Sequence, residues 1–238
     1  MGSLAGQKVV VIGGTSGIGL ATATAALGEG ASVWAVSRSE DKVAQCQSEY
    51  PDIQFGKLDI HDTSGLDKLF ASVGNIDHIV ANATGANRTN APFMEQTDEQ
   101  FRAAFEKFWG YTNVARQGIP HLRPTGSLTF VSGFPARKCN VGLSSISCTG
   151  CAVEGLTRAL ALEVAPIRVN VVAPGIIDTA AFAALGENRD QVLDQIGQSI
   201  PLGRVGQSEE VASSIMHAMQ NTYMSGATLD VGGGNLLP

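Results

Sequence analysis

Two hydrophobic periodicities alternate along this chain. Short apolar runs that read as buried strands lie at Lys8–Ile12, Ala31–Val36, Ile53–Leu58, Ile76–Ala81, Ser127–Val131, Arg168–Val172 and Thr228–Val231. Between them a helical period covers Gly17–Leu27, Lys42–Ser48, Leu66–Val73, Thr97–Gln117, Cys151–Val164 and Ser208–Met219. Alternation of this kind implies a parallel sheet, because each crossover must pack its helix back onto the sheet. No repeat, low-complexity tract or linker interrupts the pattern. The expectation is an α/β chain folded as one doubly wound domain over residues 1–238.

Composition narrows the class. The 238 residues are 44% hydrophobic and 16% charged, as in globular proteins. A net charge of −6 and the absence of any Lys/Arg run argue against a nucleic-acid partner. No apolar run approaches the roughly 18 residues needed to span a bilayer, so no membrane role is expected. The N-terminus enters a strand pattern too soon for a secretory leader, and Gly6 stands where a myristoylation signal requires Ser or Thr. Four cysteines in a chain of this length fit free thiols in a reducing compartment. These features point to a soluble, cytoplasmic protein.

The first candidate chemistry follows the first strand. Gly13-Gly14-Thr15-Ser16-Gly17-Ile18-Gly19 opens a helix, the context in which a glycine pattern becomes informative. Gly13 permits the tight turn, Gly17 removes bulk where a pyrophosphate approaches, and Gly19 lets the helix sit close to the strand. The helix N-terminus, from Thr15 and Ser16 to Ile18, then turns its N–H groups toward phosphates. The plainer alternative is a glycine turn without a ligand. After the second strand comes Ser37-Arg38. An acidic residue here would accept from a free ribose 2′-hydroxyl, whereas Arg suits a 2′-phosphate. Arg38 therefore points to NADP(H) in preference to NAD(H), with a solvated surface Arg as the alternative.

Several segments in order now carry a resemblance. They are the glycine turn, "LDI" at Leu58–Ile60, "ANATG" at Ala81–Gly85, "GSLTFVSG" at Gly126–Gly133 and "AVEGLTRALALEVAPIRVNVVAPGIIDT" at Ala152–Thr179. "PLGRVGQSEEVA" at Pro201–Ala212 and "SGATLDVGGG" at Ser225–Gly234 complete the set. Along nearly its whole length the chain resembles the short-chain dehydrogenase/reductase family. The resemblance implies a Rossmann domain with a seven-stranded parallel sheet flanked by helices, and a homodimer or homotetramer built on the two long central helices. It implies that Asp59 accepts from the adenine amino group beside the Ile60 backbone, and that Asn82 and Ala83 lie against the ribose. Thr84 stands where the family usually has Gly. Val131, Pro174, Gly175, Ile177 and Thr179 are implied on the nicotinamide side.

The family's chemistry uses Asn, Ser, Tyr and Lys. A Tyr hydroxyl titrates near 10 by itself, and a neighbouring Lys cation favours its anionic form. The pattern Tyr-x-Ala-Ser-Lys-x-Ala-Val runs onto Ile146-Ser147-Cys148-Thr149-Gly150-Cys151-Ala152-Val153, with Val153–Thr157 fixing the register. Ile146 thus takes the Tyr position and Gly150 the Lys position. The Ser position falls on Gly133, one residue after Ser132, and the Asn position on Lys107. All four functional groups are absent by this reading. Lys107 and Ser132 are the candidate replacements, Lys107 as an acid or electrostatic clamp. The alternatives are a solvent-facing helix Lys and hydroxyls used for turns and caps, the latter applying equally to Ser144, Ser145 and Ser147.

Cys148 and Cys151 have the spacing of a redox or metal pair near a helix start. Cys148 also falls on a small-residue packing position, and a metal site would need about four ligands. Phe93, Met94, Phe134, Phe182 and Leu185 suggest an apolar lid over a small-molecule substrate. The functional expectation is an NADP(H)-binding oxidoreductase with non-standard catalytic residues, acting on an apolar carbonyl, imine or conjugated compound. A cofactor-binding pseudoenzyme, a non-redox isomerase or cyclase, and a thiol-dependent function are the alternatives.

Overall fold

A computed structural model describes residues 2–83 and 89–237; Thr84 lies outside the described residues. Among the described residues nine strands form: β1 (Lys8–Ile12), β2 (Ser32–Ser37), β3 (Gln54–Lys57), β4 (Ile76–Ala81), β5 (Leu122–Val131), β6 (Arg168–Pro174), β7 (Ile177–Asp178), β8 (Gly206–Gln207) and β9 (Thr228–Val231). The helices are α1 (Gly17–Gly28), α2 (Glu40–Glu49), α3 (Thr63–Val73), α4 (Asp98–Ala104), α5 (Glu106–Gly118), α6 (Ser144–Glu163), α7 (Arg189–Gln198) and α8 (Ser208–Gln220). Seven strands make one parallel sheet in the order β3-β2-β1-β4-β5-β6-β9, and β7 and β8 pair separately. This is the doubly wound α/β architecture expected from the alternation.

Helices cover both faces because the strands are apolar on both. One core packs Phe70 of α3, Tyr111 and Val114 of α5 and Val153 of α6 against Val10, Ile79, Leu128 and Phe130 of the sheet. The other packs Ala23 and Ala26 of α1 and Val211, Ile215 and Met219 of α8 against Val9, Val11, Val80 and Val172. Tyr111 stacks on Phe130 with ring centroids 5.4 Å apart, and its hydroxyl donates to the Val131 carbonyl at 3.1 Å. That bond removes the cost of burying the phenol.

The sheet order reverses between β1 and β4, and there the loops leaving neighbouring strands part to open a crevice. At this edge lie the glycine turn after β1, Arg38 after β2, Asn82 after β4, Ser132 after β5 and Gly175 after β6.

Three local expectations are corrected. The span Thr97–Gln117 is two helices, because α4 ends in a tightened turn in which the Phe105 N–H donates to Arg102 O. Helix α6 begins at Ser144, well before Cys151. Its first two turns are Ser-, Thr- and Gly-rich and carry little periodic signal, so burial of Ser145, Thr149 and Gly150 holds them helical. Helix α7 was not anticipated, since only Leu193 and Gly197 of it are buried. No described helix is long and apolar enough to cross a membrane.

Candidate functional site

A cleft of about 1110 Å³ runs along the carboxyl edge of the sheet. The end of the cleft at the glycine turn is built from backbone. Gly13 has φ +82°, and a Cβ on it would stand 2.8 Å from the Ala83 nitrogen. A Cβ on Gly19 would run into the Gly13 carbonyl and sit 2.7 Å from Asn82 Nδ2. Asn82 ties the two loops, its N–H donating to Ile12 O at 2.9 Å and its side chain to Gly13 O at 3.4 Å. The glycines are thus required by close approach of β1, α1 and the β4 loop, and the turn holds the start of α1 open to the cleft.

The expected cofactor residues Gly13, Thr15, Ser16, Gly17, Ile18, Ser37, Arg38, Ile60, Asn82, Ala83, Val131, Pro174, Gly175, Ile177 and Thr179 all line this cleft. Gly19 and Asp59 do not. Gly19 acts beneath the turn, as the packing shows. The Asp59 carboxylate is turned into its own loop, where Oδ1 accepts from the His61 N–H at 2.9 Å. His61 lines the cleft in its place and lies 3.4 Å from Glu106.

Arg38 has a companion that the sequence reading missed. Lys42, one turn into α2, lines the same wall. Among the described residues neither Arg38 nor Lys42 makes an ion pair. Ser39 caps α2 between them by accepting from the Lys42 N–H at 3.3 Å. Two uncompensated cations at a helix N-terminus form a ready anion site.

The other end of the cleft is built from side chains. Phe134, Pro135, Leu143, Ile176, Phe182 and Ile196 make it apolar, while Asn90 and Lys107 are polar there. Of the expected lid, Phe134 and Phe182 take part; Phe93, Met94 and Leu185 are exposed on the surface instead. Lys107 and Ser132 line the cleft as expected, together with Gly133. The Lys107 ammonium donates to Ser132 O at 3.0 Å and lies 5.3 Å from the Tyr111 ring centroid. It is therefore not a solvent-facing helix lysine.

Ile146 and Gly150 do not line the cleft. Gly150 is buried against the turn after β5, where a Cβ on it would lie 2.6 Å from Ala136 Cβ. None of the nearby serines caps α6: Ser144 accepts from Gln96 Nε2 at 3.1 Å, and the buried hydroxyls of Ser145 and Ser147 have no partner among the described residues.

The cysteine pair corrects an expectation. Cys148, which falls on a packing position in the sequence, is exposed, as are Cys151 and Cys139. Partial burial, then the charge of Glu154 and the neighbouring thiols, pushes the Cys151 thiol up, the wrong direction for a reactive thiolate. No group of side chains suited to a metal ion occurs among the described residues.

Residues 12–235 match the family model described as enoyl-(acyl carrier protein) reductase. The chain is 31% identical over 260 residues to the short-chain dehydrogenase/reductase ATR9 of Stachybotrys chlorohalonatus, covering 100% of both chains. The chain belongs to the short-chain dehydrogenase/reductase family.

Two solved members of that family are close in shape. One is the MalC reductase/Diels-Alderase of Malbranchea aurantiaca, with a TM-score of 0.89 and 30% identity over 99% of this chain and 98% of that one. The other is a short-chain oxidoreductase of Pseudomonas aeruginosa PAO1 with NADPH bound and an atypical catalytic centre. Its TM-score is 0.90 and its identity 27%, covering 99% of this chain and 98% of that one.

Proposed function

We propose that this short-chain dehydrogenase/reductase is an NADP(H)-dependent oxidoreductase with non-standard catalytic residues. It acts on a small apolar carbonyl, imine or conjugated compound whose carbon is already electron-poor. The observation that carries the reading is the pairing of a dinucleotide-shaped cradle, with Arg38 and Lys42 uncompensated at one end, to a single cleft-lining Lys at the other. The NADPH-bound relative of similar shape supports the cofactor. Arg38 and Lys42 favour NADP(H) over NAD(H) because a 2′-phosphate satisfies both cations at once.

In this reading Gly13, Gly17 and the N-terminus of α1, with Thr15, Ser16 and Ile18, hold the pyrophosphate. Asn82, Ala83 and Ile60 bound the adenosine, while Val131, Pro174, Gly175, Ile177 and Thr179 frame the nicotinamide. The cofactor supplies hydride; the protein binds, orients and stabilises charge. Ile146, Gly150, Gly133 and Lys107 occupy the positions of the family's Tyr, Lys, Ser and Asn. The site as read lacks a phenol acid, and Lys107 would be the group that stabilises negative charge on the oxygen of a conjugated carbonyl. Such a preorganised cation is worth roughly 10²-fold or more in rate. The protein is proposed to be a cytoplasmic homodimer or homotetramer.

A second reading is an isomerase or cyclase on the same scaffold, in which the cleft only orients its substrate. It is favoured by the solved relative named both a reductase and a Diels-Alderase.

Calorimetric titration with NADP⁺, NADPH and NAD⁺ tests the cofactor, and NADPH consumption with cyclohexenone, cyclohexanone and N-methyl-dihydroisoquinolinium tests the chemistry. The expected result is binding of the phosphorylated cofactors and consumption with the activated acceptors ahead of cyclohexanone. The Lys107→Met variant should lose about 10²-fold in turnover of cyclohexenone. Absence of cofactor binding at millimolar concentration would falsify the proposal. Binding without turnover of any acceptor favours the second reading.

A further inference from the structure

On α6, residues 146, 150 and 154 follow one another at four-residue intervals along one face. They are Ile, Gly and Glu. Glu154 is thus the charge that remains on the face where the family places its catalytic pair, displaced by one turn. Its side chain is 5% exposed, and a buried carboxylate is costly unless it is paired and hydrogen-bonded.

The pairing leads to the cleft. Glu154 Oε2 accepts from Arg137 NH1 at 3.2 Å, and Oε1 accepts from the Ser132 hydroxyl at 3.4 Å, a long contact for an O–H···O bond. Arg137 in turn donates to both carboxylate oxygens of Asp230, at 3.0 and 3.3 Å. Ser132 is the junction. Its N–H donates to Val172 O at 2.8 Å, its hydroxyl goes to Glu154, and its carbonyl accepts from the Lys107 ammonium. Glu154, Arg137 and Asp230 do not line the cleft, so no part of the cofactor cradle accounts for them.

We propose that Glu154 is a positioning residue for Lys107, acting through Ser132. It anchors the residue whose carbonyl holds the ammonium, and it places a compensating negative charge behind it. The cation of the site then comes from α5 and the anion from α6, whereas the family pattern would set a cation on α6. The Arg137–Asp230 pair ties the same chain to β9 and holds the turn carrying Gly133, Phe134 and Pro135, which wall the apolar end. Glu106, the neighbour of Lys107 on α5, and His61, 3.4 Å from Glu106, line the cleft with Lys107. The inference rests on the reading of Lys107 as the group that faces the acceptor.

The test is a pH titration of the Lys107 side-chain resonance by NMR, on the full chain with and without NADP⁺. Removing a negative charge makes an ammonium easier to deprotonate, and removing a positive one makes it harder. Glu154→Gln should therefore lower the Lys107 midpoint by about half a pH unit or more, and Arg137→Gln should raise it. A merely structural role would lower Tm in both variants and leave the titration in place; that result, or shifts of the same sign, overturns the inference. If Glu154→Gln does not fold, the upward shift in Arg137→Gln decides alone, since Arg137 is more exposed. The titration needs no substrate, so it separates this inference from the turnover of Lys107→Met, which tests the function itself.

Discussion

The two ends of the cleft are specified by different parts of the chain. At the nucleotide end the specification is backbone: Gly13 and Gly19 admit loops that any side chain would push apart. At the chemical end it is side chain, carried by Lys107, Ser132 and the residues behind them. Backbone specification leaves few alternatives, because every substitution strains the frame. Side-chain specification can be rewritten while a helix persists, and in the proposed reading α6 is such a case, with Ile146 and Gly150 standing where the family pattern has a Tyr and a Lys. Fold therefore vouches for the first end and is silent on the second.

The largest effect should come from breaking the backbone end. Gly19→Val forces a branched side chain against the Gly13 carbonyl and the Asn82 amide. Overpacking of this kind costs about 1–3 kcal/mol or more, and the displaced turn loses its aim at the pyrophosphate. NADP⁺ affinity should fall by at least about 10²-fold in calorimetry. Retention of wild-type affinity would show that the cradle does not bind through this turn.

Acid should weaken the frame beneath both ends by a comparable amount. His78 on β4 is buried, with Nδ1 2.8 Å from the Ser127 hydroxyl and Nε2 2.7 Å from the Gln7 amide oxygen. Burial first, and then the nearby Arg168 charge, pushes its pKa from near 6.5 down to about 4. Below pH 6.5 the unfolded chain binds a proton that the folded chain refuses, so stability falls as pH falls. The contribution is fully present above the unfolded value and is lost progressively down to about 4. The loss is on the order of 3 kcal/mol. Urea unfolding across this window should show the slope, and His78→Gln should flatten it. An unchanged slope in the variant would assign the acid sensitivity elsewhere.

Much of this frame was legible in the sequence. The strand candidates Lys8–Ile12 and Ile76–Ala81 are largely buried and match β1 and β4 residue for residue. The places of the glycine turn and Arg38 on the cleft wall could be read because their context, strand before and helix after, is local. Lys42, Glu154 and Arg137 could not. Each matters only through what the fold brings beside it, and a Glu in mid-helix or an Arg in a turn looks like surface. Asp59 differs in another way: its motif is present, but the residue does not line the cleft, and one of its carboxylate oxygens accepts from the His61 N–H.

Reversing the charge on the phosphate wall should sharpen the comparison further. Arg38→Glu replaces one of two uncompensated cations with a carboxylate that repels a 2′-phosphate and accepts from a 2′-hydroxyl. NADP⁺ affinity should fall by about 10- to 100-fold and NAD⁺ affinity should rise, as expected for loss of a charge-assisted contact of about 1.5–3 kcal/mol. Lys42→Ala should do the same more weakly and without the gain in NAD⁺ binding. Equal effects on both cofactors would place Arg38 outside the recognition of the phosphate.

Restoring the family's pair should do less than its chemistry suggests. In an Ile146→Tyr, Gly150→Lys double variant the new lysine must displace Ala136 and the turn it belongs to. That costs about 1–3 kcal/mol, and it moves the Phe134–Pro135 wall away from the acceptor. Cyclohexanone reduction should stay at background in this variant, with NADP⁺ binding retained. Ready gain of ketone reduction would show that the site needed only its acid.

The smallest effect is assigned to the feature most visible in the sequence. A Cys148→Ser, Cys151→Ser double variant should hold stability within about 0.5 kcal/mol and leave cofactor affinity unchanged. Both thiols sit on the exposed side of α6. The Cys151 thiol is pushed away from the thiolate form, and neither lines the cleft. A CxxC pair works when the helix N-terminus and nearby cations favour the anion; here partial burial and the Glu154 charge oppose it. The carboxylate that disfavours a thiolate at Cys151 is the one proposed to support the ammonium at Lys107. Glu154→Gln should therefore make Cys151 easier to ionise and Lys107 easier to deprotonate together. An iodoacetamide rate at Cys151 that does not rise in that variant would uncouple the two.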